Sequence, residues 1–182
     1  MFAQRRPRPR PDGTLEVTLI QLEMDKPHPQ PNPVPLGSKL AIMRLDRPAV
    51  AFYRFLYDAV GRDWGWVDRK RLGDAELGQI IQDDRTEIYV LYVGGVPAGY
   101  AEFDCREFPE ITLTYFGLTA DFIGRGLGPF FLRSVLIEAW AKSPSKIKVS
   151  TQNTEHPAAL PLYQKVGFRP VAARDIIVDL RL

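Results

Sequence analysis

Ile123-Gly124-Arg125-Gly126-Leu127-Gly128-Pro129 is the stretch of this chain whose residue types and spacing point most directly to chemistry. Glycine at every second position lets the backbone turn tightly and leaves successive N–H groups unscreened by side chains. A strongly apolar stretch of helical period, GLGPFFLRSVLIEAWAK, overlaps the turn and continues from it. At a helix start the first N–H groups lack an intrahelical acceptor and the helix dipole is positive. The turn is therefore an anion cradle suited to a diphosphate. Pro129 fits the first helical turn, where its missing N–H costs little. Two phosphate-binding classes are excluded. The GxxxxGK[ST] loop needs a Gly-Lys pair that the chain lacks. The dinucleotide fingerprint needs glycine where Pro129 or Phe131 stands, and an acidic residue about 20 positions on, where Lys146 and Lys148 make the chain basic. By itself the segment is equally a plain glycine-rich turn.

The elements that must position this turn follow from hydrophobic period. Leu15–Leu22 alternates and is β-branched, so it reads as an opening strand. Proline at every second position from Pro27 to Pro35 excludes helix and central strand, which makes 27–37 a stiff extended loop. Asp46-Arg47-Pro48 predicts a helix start with an Asp cap, and Val50, Tyr53, Leu56, Tyr57 and Val60 form its stripe. A second helix runs from Asp74, with Leu77, Ile80 and Ile81 buried. EIYVLYV, Gly94-Gly95 and VPAGYAEFD read as a hairpin. ITLTYFGLT adds a third strand, and together these predict an antiparallel meander. After the glycine turn come a helix, the strand KIKVSTQ, a short helix closed by Gly167, and last-strand material in VAARDIIVDL. The fold class is α/β (α+β), with a mixed, mostly antiparallel sheet flanked by helices.

Composition narrows the function classes. The 182 residues fit one domain, expected over 13–182 behind a disordered basic tail at 1–12. With 24 Lys+Arg against 22 Asp+Glu the net charge is +2, so no broad cationic surface for nucleic acid is expected. No apolar run approaches the ~18 residues of a membrane span. No apolar stretch of about 7–15 residues follows the N-terminal arginines, so export is not expected. A single cysteine fits a reducing, cytoplasmic setting. Cys105 lies in a charged connector with no histidine nearby in sequence, which argues against a nucleophile. His28 and His156 show no ligand spacing, so no metal site is expected.

The order strand, GxGxG, helix, strand, short helix resembles the GCN5-related N-acetyltransferase (GNAT) superfamily. That family carries [QR]xxGx[GA] at the turn, matched by Ile123-Gly124-Arg125-Gly126-Leu127-Gly128. It also carries NxxAxxLYxxxGF, matched from His156 through Ala159, Leu162 and Tyr163 to Gly167-Phe168. Two positions depart: Ile123 replaces Gln or Arg, and His156 replaces Asn. The resemblance implies acetyl-CoA as co-substrate, with its diphosphate on residues Ile123 to Pro129. His156 is either a cofactor contact or only a helix-start histidine. The pantetheine arm would lie between splayed parallel strands, Tyr115–Leu118 (with Phe116) and Val149–Gln152. A main-chain N–H near Leu118 would polarise the thioester, a role worth ~3–4 kcal/mol.

The same resemblance implies direct attack by a primary amine of a small molecule or peptide, with Tyr163 as general acid to the leaving thiolate. At pH 7, deprotonating a lysine-like amine costs about 4.6 kcal/mol, an α-amine only about 1 kcal/mol. Alternation puts Tyr100, Glu102 and Asp104 on one face of the hairpin strand. Glu102, with Glu110 behind it, is the candidate base, or else a solvated strand glutamate. Trp64, Trp66 and Tyr53 are candidates for the acceptor pocket, or else helix-packing aromatics. A homodimer is compatible with this reading. The rival is a non-catalytic acyl-CoA-binding regulatory module on the same fold, which would keep the turn without needing Tyr163.

Overall fold

Strand alternation organises the centre of the molecule, a computed structural model that describes residues 6–35 and 39–181. In β4 (Thr86–Val93) both faces of residues 86–91 are buried. Ile88 and Val90 join one apolar cluster, Tyr89 and Leu91 the other. β4 therefore lies inside a sheet covered on both sides. On the first face pack α1 (Val50–Gly61) and α2 (Asp74–Ile81), through Tyr53, Leu56, Tyr57, Leu77 and Ile81. On the second packs α3 (Leu127–Trp140), through Leu127, Phe131, Leu132, Val135 and Leu136. The short α4 (Ala159–Lys165) lies on that face as well, with Leu160 and Tyr163.

The expected meander is present. β4, β5 (Val96–Asp104) and β6 (Glu110–Leu118) pair antiparallel in chain order. β7 (Lys146–Gln152) then pairs parallel to β6. Beyond β7 lies β2 (Leu15–Met24), antiparallel to it over Leu19–Met24. The other edge of β2 carries β8 (Arg169–Val178). The opening strand is thus threaded between the last two strands, a placement that its own residues do not announce.

Several boundaries differ from the sequence reading. Arg8–Pro9 forms a short strand, β1, that pairs with Leu15 and Glu16. The expected disordered tail is corrected over this stretch. The turn is closed by Asp12, whose carboxylate accepts from the Thr14 N–H (3.0 Å) and hydroxyl (2.6 Å). Residues 1–5 of that tail lie outside the described residues. The extended proline segment ties the end of α4 to α3: Gln30 Nε2 donates to the Lys165 carbonyl (3.0 Å), and Arg133 donates to Gln30 Oε1 (2.7 Å). The end of the predicted loop, 36–37, also lies outside the description. An additional edge strand, β3 (Leu40–Arg44), pairs with β4. It holds the chain to the sheet as far as Leu45, whose N–H donates to the Ile88 carbonyl (2.8 Å). Asp46 consequently does not cap α1. The chain turns at Arg47 (φ 44°), and the helix begins after Ala49 with no side-chain cap.

One irregularity shapes the site. Glu102 pairs with Tyr115, but Phe103 pairs with Leu113, so Thr114 is an extra residue in β6. Two residues apart on a regular strand share a face. Here Leu113 joins the α3-side cluster and Tyr115 packs on the α1 side. Such a bulge bends its strand and increases the local twist. The parallel pairing of β6 with β7 ends at Leu113 and Val149, although both strands continue. The sheet is split from that point on.

Candidate active site

The split opens main-chain groups that a sheet would otherwise consume. Along a strand, successive N–H groups point to opposite edges. The Thr119 N–H donates to the Ala98 carbonyl of β5 (2.9 Å). The Leu118 N–H, and that of Phe116, therefore point the other way, into the gap that β7 has left.

The glycine turn stands at the same end. Gly124 and Gly126 have φ of 81° and 74°, a backbone conformation that L side chains rarely adopt. Gly126 is the N-cap of α3, so the Leu127 and Gly128 N–H groups occupy the first turn, where no helical carbonyl precedes them. Side-chain space is not what demands these glycines, since a Cβ at either position would meet nothing within 4 Å.

Between turn and split lies a cavity of about 460 Å³. Its walls include Phe116, Leu118, Gly126, Gly128, His156 and Tyr163. Ile123, Gly124, Leu127 and Pro129 line it as well; Arg125 does not, and lies instead over the Phe122 ring at 5.0 Å. Lys165 adds a cation that sequence reasoning had passed over. His156 closes the turn ahead of α4: its Nδ1 accepts the Ala158 N–H (3.0 Å), and its ring meets Trp64 at 4.9 Å. That leaves Nε2 as the nitrogen free to act as donor.

A second cavity, about 250 Å³, lies on the α1 side of the split. Tyr57, Trp66 and Tyr115 give it aromatic walls, while Asp68, Ser150 and Gln152 give it polar ones. Gln152 Oε1 is buried there with no hydrogen-bond partner. Among the described residues Asp68 makes no ion pair, although Arg69 and Lys70 beside it are both engaged. Four residues line both cavities: Trp66, Phe116, Glu155 and Tyr163.

Tyr163, on α4, lines both cavities. Its ring packs edge-on against Phe116 (6.5 Å) and Phe168 (5.9 Å). Burial raises its phenol above the ordinary tyrosine range, and the neighbouring Glu155 carboxylate raises it further. It is firmly protonated at neutral pH.

The expected base is not at the split. Glu102 is 1% exposed and lines neither cavity. Its two oxygens are taken by Arg69 (2.6 Å) and the Tyr53 hydroxyl (2.5 Å). Burial raises its carboxyl and Arg69 opposes the rise. The alternation that put Glu102 on one face with Tyr100 holds, but that face lies under α1 in the core. Tyr53 is fully buried in this group and lines neither cavity, whereas Trp64 and Trp66 do line the site. Glu110 sits at the closed end of the β6–β7 pair, bonded to Lys148 (2.6 Å). Burial pushes the Cys105 thiol up to about 11, so it is a poor source of thiolate.

Glu155 is the acidic residue that sequence reasoning missed. It follows β7 in the loop before α4, accepts a hydrogen bond from Thr151 Oγ1 (2.6 Å), and is raised by burial to about 7. Only its place beside His156, at the head of the motif, could have drawn attention to it.

Comparison with known proteins supports the architecture. Residues 53–168 match the model of the acetyltransferase (GNAT) family. A GCN5-related N-acetyltransferase from Sphaerobacter thermophilus superposes with TM-score 0.65 at 16% identity, over 94% of this chain and 52% of its own. The chain thus spans about half the length of that protein. An aminoglycoside N-acetyltransferase in complex with CoA gives TM-score 0.54 at 22% identity, over 75% of this chain and 91% of its own. The ribosomal-protein-S18-alanine N-acetyltransferase of Escherichia coli gives 0.58 at 17%, over 73% and 79%. These likenesses are of fold. No curated protein matches the sequence.

Proposed function

Because the chain belongs to the GNAT acetyltransferase family, we propose that it moves the acetyl group of acetyl-CoA directly to a primary amine of a small-molecule or peptide acceptor. The observation that carries this reading is the split beside β6, with the Leu118 N–H aimed into a cavity that the glycine turn and Tyr163 also line. The residues fit the co-substrate. The turn N–H groups and Lys165 would hold the diphosphate. Phe116 and Leu118 would pair the pantetheine amides through their main chain. Acetyl-CoA supplies the activated acetyl group; the chain orients it and manages protons.

Leu118 N–H would stabilise the developing oxyanion, and Tyr163 would give its proton to the departing sulfur. The acceptor would enter through the second cavity, whose unpaired Asp68 and aromatic walls suit a cationic amine. The single cysteine agrees with a reducing compartment, and we assign the reaction to the cytoplasm.

One experiment tests cofactor and chemistry together. Acetyl-CoA should raise the melting temperature of the wild type, and Gly126→Glu should abolish the rise by putting a carboxylate in the cradle. Tyr163→Phe should keep that rise and lower kcat by about 10²–10⁴ on an accepted amine. No thermal shift in the wild type overturns the cofactor reading. A retained shift with no amine acetylated favours a binding module.

A further inference from the structure

The two carboxylates expected as base are held elsewhere: Glu102 by Arg69 and Tyr53, Glu110 by Lys148. Asp68 lines the second cavity but not the first, where the thioester would lie. Glu155 lines both cavities, at the neck where an acceptor nitrogen must pass to reach a thioester. One of its oxygens receives Thr151 Oγ1, which fixes the side chain. The groups around it are Thr151 and Gln152 from β7, His156 from its own loop and Tyr163 from α4. Tyr57, Asp68 and Tyr115 lie across the second cavity, and Lys165 across the first.

We propose that Glu155 takes the proton from the acceptor ammonium group, and that its neutralisation readies Tyr163 to protonate the leaving sulfur. This rests on the acetyl-transfer reading above. The steps balance as follows. An N–H bond of the ammonium breaks and its proton goes to the Glu155 carboxylate, leaving a neutral amine. The nitrogen lone pair forms the C–N bond to the acetyl carbon, and the C–S bond breaks with its electron pair on sulfur. The Tyr163 O–H proton passes to that sulfur. The phenolate takes the remaining excess proton from nitrogen as the amide forms, and Glu155 later returns its proton to solvent.

The coupling between the two groups is electrostatic. While Glu155 is ionised, its charge opposes any charge on the Tyr163 oxygen and holds that proton in place. Once Glu155 carries the amine's proton, the opposing charge is gone and the phenol becomes a better donor. The acid is therefore released only after the nucleophile has formed. Burial supports the first step, because a carboxyl raised to about 7 meets the ammonium closer to its own pKa than an ordinary glutamate does.

The test uses two primary amines on the intact chain, ethylamine and 2,2,2-trifluoroethylamine, the second being largely unprotonated at neutral pH. Glu155→Gln keeps the size and the Thr151 contact. It should cost about 10²–10⁴ in kcat/KM with ethylamine and much less with the fluorinated amine. With the wild type and ethylamine, the enzyme-group limb of the pH profile should fall near 7 and vanish in Glu155→Gln. A ¹³C carboxyl titration by NMR gives a readout free of turnover. The Glu155 signal should titrate near 7, not at the ordinary value of about 4.3. Equal losses on both amines, an unchanged pH profile in Glu155→Gln, or an ordinary carboxyl titration overturns the assignment of Glu155 and leaves acetyl transfer standing. Wild-type protein that binds acetyl-CoA but acetylates neither these nor any other amine overturns both.

Discussion

Two glutamates show how one residue type acquires opposite roles. Glu102 is buried and fully partnered, with Arg69 at 13% side-chain exposure closing the pair. Breaking a buried pair strands the remaining charge and typically costs about 3–5 kcal/mol. Arg69→Met should therefore lower the melting temperature by roughly 6 °C or more, using 2–4 °C per kcal/mol for a chain of this size. It should leave the acetyl-CoA shift intact, because Arg69 lines neither of the two cavities at the split. A scanning-calorimetry trace of Arg69→Met equal to that of the wild type would contradict a structural role for the pair. Glu155 by contrast keeps contact with open space at the neck, where a proton can arrive and leave.

At the scale of elements, the approach of α1 to β6 decides the width of the site. A Cβ on Gly117 would lie 2.4 Å from Val60 Cγ1, so a side chain there pushes the helix off the strand. Overpacking of this kind costs about 1–3 kcal/mol. Gly117→Ala should melt lower than the wild type by roughly 2–12 °C. Adding Val60→Ala should restore part of the loss, because the two changes share one contact. Additive losses in the double variant, measured by thermal melts at fixed pH, would mean that the strain lies elsewhere. The bulge at Thr114 acts on the same strand. One extra residue turns Tyr115 toward α1 while Leu113 stays under α3, and the pairing with β7 stops there.

For the whole molecule the critical connection is β2. It pairs with β7 on one edge and supplies the strand partner of β8 on the other, with Ile20, Leu22 and Met24 in the α3-side core. β1 adds two residue pairs at its end. Removing residues 1–12 should leave cooperative melting and the acetyl-CoA shift in place. Removing 1–24 should abolish both, since β8 loses its ladder and the core loses four buried apolar side chains, Val17, Ile20, Leu22 and Met24. A cooperative melt after the longer truncation, followed by circular dichroism, would show that β2 is dispensable. No helix among the described residues is long and apolar enough to cross a membrane.

What the sequence determined by itself is what neighbouring residues settle among themselves. Period 2 and period 3.6 marked the meander and all four helices, because side-chain direction is a local property of the backbone. The glycine turn was legible for the same reason: positive φ and a helix start need only the residues present there. The short helix that carries Tyr163 was legible through the stop at Gly167 that follows it. The tertiary structure decided the rest. Glu102 and Glu155 are the same residue type in sequence, and only packing makes the first a buried ion pair and the second a group raised to about 7 at a junction of cavities. The place of Leu15–Met24 between β7 and β8 depends on partners more than 120 residues away, and the β6–β7 pairing ends at Leu113 and Val149, strands joined only through α3. Charge, burial and strand partnership are properties of pairs brought together in space, and no local spacing of residues encodes them.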